Sequence, residues 1–177
     1  MKACAIALLV VVAACGQGRA IFNVDAYSFL QGTGKDTIPY VIPPATSATA
    51  STVQKITLPP GFGSSIVDTV RITVGNANLQ NTAGSGMIGF ELFFASDSAA
   101  TYTAPSALTI PATAVTGAQT VPVVITGDLS NVDSLFRQEI VWMRIAATGT
   151  NGGATPVTGR GVLTALVIRI VLQDKIL

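Results

Sequence analysis

Histidine is absent from all 177 residues. Its absence removes Ser–His–Asp and Cys–His catalytic arrangements and any metal site built on imidazole. Cysteine is almost absent: there are two, Cys4 and Cys15, both near the start of the chain. From residue 16 onward no thiol is available for a disulfide or a nucleophile, so stability has to come from packing and backbone pairing. Charge is scarce as well. Ten Lys and Arg face nine Asp and Glu, a net charge of +1, and such a balance offers no basic surface for nucleic acid. No cofactor and no metal is expected. Nor is there an apolar run of about eighteen residues, the length a membrane-spanning helix needs.

What the chain does have begins at Ala3. Behind Met1-Lys2, residues 3–14 are all apolar or small, ending in Val12-Ala13-Ala14 before Cys15. As a helix this run would rise about 18 Å, well short of the ~30 Å hydrocarbon core. A basic start followed by a short apolar run is the layout of an export signal. Val12-Ala13-Ala14-Cys15 resembles the lipobox of bacterial lipoprotein precursors: an aliphatic residue, two small residues and a cysteine. The resemblance covers residues 1–15 only. It implies cleavage between Ala14 and Cys15, lipidation of the Cys15 thiol with palmitate-type acyl chains, and often acylation of the new amino terminus. Two or more chains make a membrane anchor stable, at roughly 0.8 kcal/mol per buried CH₂. The expected organisation is a cleaved signal peptide at 1–14, a lipidated cysteine and tether at 15–19, and one β-sandwich domain at 20–177. Gly16, not Asp, follows the cysteine. By the same resemblance this favours the outer membrane, at its periplasmic face or the cell surface, where an outer membrane exists.

The rest of the chain is rich in Gly, Ala, Thr, Ser and Val, a composition of strands joined by turns. Alternation predicts a half-buried strand from Ile21 and others near 38–42, 52–58 and 69–74. Residues 87–95 are apolar on both parities, as in a central strand covered on both faces. Further strands are expected near 108–110, 121–125, 139–147 and 162–172. Pro39 and Pro122 point to sheet edges. Residues 45–51 and 75–85 read as polar loops. Asn151-Gly152-Gly153 reads as the turn of a long hairpin. Ser130–Gln138 is the helix candidate, with Ser130 as N-cap. The expected fold is therefore all-β: a two-sheet antiparallel β-sandwich, immunoglobulin-like or jelly-roll-like, of about eight strands with one short helix. Its expected core includes Val70, Ile72, Val74, Phe90, Leu92, Val141, Met143 and Ile145.

Few motifs carry chemistry. Gly84-Ser85-Gly86-Met87-Ile88-Gly89 matches a dinucleotide fingerprint by letters, but a strand follows where the fingerprint needs a helix, so it reads as a hairpin turn. Asp128 with Asp133, and Asp25 with Asp36, could act as carboxylate pairs; capping and turn formation explain them as well. Tyr27, Tyr40, Tyr102 and Trp142 are candidate ligand or partner contacts, and packing is the competing explanation for each. For Trp142 the parity of its strand sends Arg144 to solvent on the same face, yet the helix candidate needs an apolar surface to cover, so the indole is expected to be mostly buried beneath it and structural. The reading is a lipid-anchored cell-envelope protein, non-enzymatic, serving as a structural or interaction module. Its expected partners are the membrane, through Cys15, and an envelope protein or polysaccharide. The alternatives are a carbohydrate- or ligand-binding module and a hydrolase working with carboxylates alone.

Overall fold

The computed structural model describes residues 19–58 and 66–173. The expected signal peptide at 1–14, its expected cleavage between Ala14 and Cys15, and the expected tether up to residue 18 lie outside the described residues. Ten strands follow in order: β1 (Arg19–Asp25), β2 (Thr37–Ile42), β3 (Thr46–Thr57), β4 (Ile66–Ala83), β5 (Ser85–Ala95), β6 (Leu108–Thr116), β7 (Gln119–Val124), β8 (Gly127–Asp128), β9 (Ile140–Asn151) and β10 (Val157–Gln173). They form two antiparallel sheets. One runs β1-β10-β4-β7, with β2 also on β10 and β8 also on β4; the other runs β3-β9-β5-β6.

The path is that of one long hairpin rolled up. Strands β1 and β2 pair with β10, β3 with β9, β4 with β7 and β8, and β5 with β6. Rolling brings β10 onto β4 and β9 onto β5. Ten strands thus fill eight positions, because β1 and β2 occupy successive stretches of β10, and β7 and β8 successive stretches of β4. This is the strand order of a jelly roll, so of the two sandwich arrangements the immunoglobulin-like one is set aside. Pro39 and Pro122 do lie in edge strands, where their missing N–H breaks no ladder.

Several local expectations change. Both polar "loops" are strand. Thr46–Ser51 opens β3, and Gly75–Ala83 continues β4 between β10 and β7. In the second stretch Ala77, Leu79 and Asn81 point inward and Asn76 and Asn78 do not, so the alternation is carried by one inward row that includes a small and a polar residue. Val74, expected in the core, is 45% exposed. A bulge explains it: Ile168 pairs with Ile72 but Val167 pairs with Val74, so Thr73 is the extra residue and the parity of β4 reverses there. Asn151–Gly153 and Gly84 do not close hairpins either. Each joins a strand of one sheet to a strand of the other.

The two sheets enclose one core, including Val70, Leu79, Ile88, Leu92, Val141, Met143, Leu166, Ile168 and Ile170, all at most 1% exposed. Two asparagines tie down the end of the sandwich where the connections are tight. The Asn81 amide donates to the carbonyls of Ala83, Gly84 and Gly117, and its Oδ1 accepts from the Tyr40 hydroxyl at 3.2 Å. The Asn151 amide donates to the carbonyls of Ile42, Pro43 and Thr155. The opposite end holds the start of β1, the end of β10 and the longer connections 96–107 and 129–139.

Residues Ser130–Arg137 form a 3-10 helix, not an α-helix. Ser130 is not its cap; the Ser130 N–H instead donates to Asp128 Oδ1 at 2.9 Å. The helix does not cover the outer face of β9. Val132 and Phe136 turn into the interior, where Phe136 meets the inward Phe94 ring at 5.4 Å between centroids. It closes the end of the sandwich.

Candidate binding face on the four-stranded sheet

Along β9, Val141, Met143, Ile145 and Ala147 point inward, which leaves Ile140, Trp142, Arg144, Ala146 and Thr148 on the outer face. On neighbouring β5 the outward row is Met87, Gly89, Glu91, Phe93 and Ala95. The connection 96–107 folds back over part of this face and divides it.

On the side near the start of β1, Arg144 does not reach solvent as its parity predicted. It is 8% exposed. Its guanidinium carbon lies 3.6 Å from the centroid of the Phe93 ring and 5.0 Å from that of Tyr102. Its Nε donates to the Thr101 carbonyl at 2.9 Å. Two ring faces and a carbonyl dipole replace the water that a buried guanidinium loses. The connection itself is ordered by Asp97, whose Oδ1 accepts from the Ala100 N–H at 2.8 Å, and by Thr101, whose hydroxyl donates to the Ser98 carbonyl at 2.7 Å. Arg144 is therefore the post to which this segment is fastened. The signal in the sequence was the proximity of Phe93 and Tyr102 to a lone outward arginine, which only the β5–β9 register reveals.

On the other side of the segment lies a groove of about 350 Å³. Glu91, Thr109, Thr148 and Thr150 give it polar groups, and Met87 and Pro111 give it apolar walls. Gly89 lies in its floor with no side chain to fill it. Among the described lining residues Glu91 is the single carboxylate, whereas hydrolysis by carboxylates alone uses two. The lining can accept and donate hydrogen bonds to a polar ligand lying flat on the sheet. A second groove of about 370 Å³ lies on the six-stranded sheet between Val41, Gln80, Thr82 and Arg160. As in the first groove, where the Thr109 hydroxyl meets Ser106 at 3.2 Å and the Thr148 hydroxyl meets Thr49 at 3.5 Å, some of its polar groups bond one another: Arg160 Nε donates to Gln80 Oε1 at 2.7 Å, and Thr82 bonds Thr158.

The four aromatic candidates are not brought together. Trp142 is half-buried and Tyr102 is exposed, both on the outer face just described. Tyr27 is half-buried against the core. Tyr40 points inward and is 5% exposed; burial pushes its phenol above the usual tyrosine range. The carboxylate pairs do local work. Asp25 Oδ1 accepts from the Ser28 N–H at 3.3 Å, and Asp36 lies beside the Thr37 hydroxyl at 3.5 Å. Asp133 is half-buried with its Oδ1 enclosed and unpartnered; burial first, then the charge of Asp128, holds its carboxyl above the ordinary range, against the pull of Arg137.

No family model and no curated protein sequence matches this chain. Solved structures do. The structure of infectious bursal disease virus Gx strain aligns with 89% of this chain and 36% of its own, at 12% identity and a TM-score of 0.32. The T13 particle of the same virus aligns with 88% and 38%, at 10% and 0.34. TmCBM61 in complex with β-1,4-galactotriose aligns with 87% and 88%, at 8% and 0.31. The chain spans a little over a third of the two viral proteins. The likeness is one of strand layout.

Proposed function

We propose that this protein is a bacterial cell-envelope lipoprotein whose jelly roll, held to the membrane through lipid on Cys15, serves as a non-enzymatic binding or structural module. The observation that carries the reading is Val12-Ala13-Ala14-Cys15 at the end of a short apolar run behind Lys2. The position of β1 supports it. Folded structure is under way by Arg19, four residues after Cys15, a spacing suited to a short tether. The grooved half of the four-stranded sheet lies toward the opposite end, free to meet an envelope partner. A carbohydrate-binding reading is favoured by that groove alone, where three threonine hydroxyls and Glu91 stand beside Met87 and Pro111.

Expression in a bacterial host with mass spectrometry of the mature amino terminus tests the anchor. Acyl mass on Cys15 is expected, and Cys15→Ser should abolish it and leave the protein soluble or unprocessed. A mature terminus elsewhere without acyl mass overturns the reading.

A further inference from the structure

Resting on the lipid anchor just proposed, we infer that the rim of the four-stranded sheet's outer face, formed by Ile140, Trp142 and Tyr102 with Lys55 beside them, lies against the bilayer surface. Three observations carry this. The first is composition. Ile140 and Tyr102 are 37% and 63% exposed, and Trp142 is half-buried next to them. Lys55 is exposed and pairs across the ladder with Trp142. Tyr102 stands over Arg144, two residues along β9 on the same face. An indole, a phenol, an aliphatic side chain and a long-stemmed amine form the set that settles at the level of lipid headgroups, each with an apolar body and, except Ile, a polar tip.

The second observation is place. Ile140 opens β9 and Trp142 is about 7 Å along it, at the same end of the sandwich as the start of β1. Strand β3 brings Lys55 to the same end, since Thr57 pairs with Ile140 and Lys55 with Trp142. The third is reach. From Cys15 to Arg19 the chain spans at most about 14 Å fully extended. A lipid on Cys15 thus confines this rim to the neighbourhood of the membrane, where a contact too weak to hold a free protein is made at high effective concentration. Exposed Asp97 and Glu139 lie close by, so apolar and headgroup contact drives the seating, with no demand for anionic lipid.

Trp142 is the sole tryptophan and reports directly. The lipidated full-length protein is incorporated into phosphatidylcholine vesicles with or without brominated acyl chains, and flotation and emission are read together. The expected result is co-flotation, a blue-shifted emission relative to detergent-free soluble Cys15→Ser, and clear quenching by the brominated lipid. Lys55→Glu combined with Ile140→Asp, both at exposed positions, should float equally and lose most of the quenching. Flotation without quenching overturns the seating and leaves the anchor standing. Failure to float, with no acyl mass, overturns both. If a soluble glucan shifts the emission while brominated lipid does not, the rim is a carbohydrate face and the inference is wrong.

Discussion

Asp133 costs the fold something that Arg137 only partly offsets. Its Oδ1 is enclosed without a donor, and burial together with Asp128 raises its pKa. The folded carboxyl therefore holds its proton at a pH where the unfolded chain has released it. Folding gains from acidification as pH falls through the raised value towards the ordinary aspartate one, and that gain is absent at neutral pH. Asp133→Asn should accordingly raise the melting temperature at pH 7, and the difference from the unaltered protein should narrow as pH is lowered through this window. A variant less stable at pH 7 would mean that the charge is stabilising. Single side chains were the least legible part of this protein. Alternation placed Phe90, Leu92, Val141, Met143 and Ile145 in the core, where they are. It failed for Arg144 because neighbouring β5 supplies Phe93, and a segment some forty residues away folds over the face with Tyr102 and the Thr101 carbonyl. It failed for Val74 because one bulged residue reverses everything beyond it.

A strand was legible where its inward row is large and apolar. Strands β5, β9 and β10 announce themselves in this way. The first half of β3 and the second half of β4 do not, since Thr, Ser, Ala and Asn fill them and only pairing makes them strand. The helix was found at nearly its true bounds, yet its partner was misjudged: Phe136 needs the interior beside Phe94, not the outer face of β9. Two substitutions test the elements. Leu92, in the middle of β5 and 1% exposed, faces the core, and Leu92→Ala should lower the unfolding free energy by about 2–5 kcal/mol in urea denaturation. Gly84, the single residue between β4 and β5, has φ +75, and a Cβ there would fall 2.2 Å from the Pro156 carbonyl oxygen. Gly84→Ala should cost more than about 1 kcal/mol, and a neutral result would show that this corner yields.

For the molecule as a whole, an all-β sandwich was readable from strand content and turn spacing. Strand order was not, because most of the defining pairs join distant segments: Arg19 meets Gln173, and Thr46 meets Asn151. Strand β10 shows what this entails. It pairs with β1 and β2 on one side and β4 on the other, so with β4 it makes the inner pair of its sheet. Its amides around Ile168 and Ile170 should exchange with solvent only through global unfolding, later than those of edge strand β7, in hydrogen-exchange mass spectrometry. There is also a consequence in time. A ribosome makes β1, β2 and β4 long before Val157–Gln173, so until that strand is synthesised nothing joins β1 and β2 to β4 in the six-stranded sheet. A nascent chain in that condition stays loose and threadable until its closing segment arrives, and then has to form its longest-range pairs last and slowly.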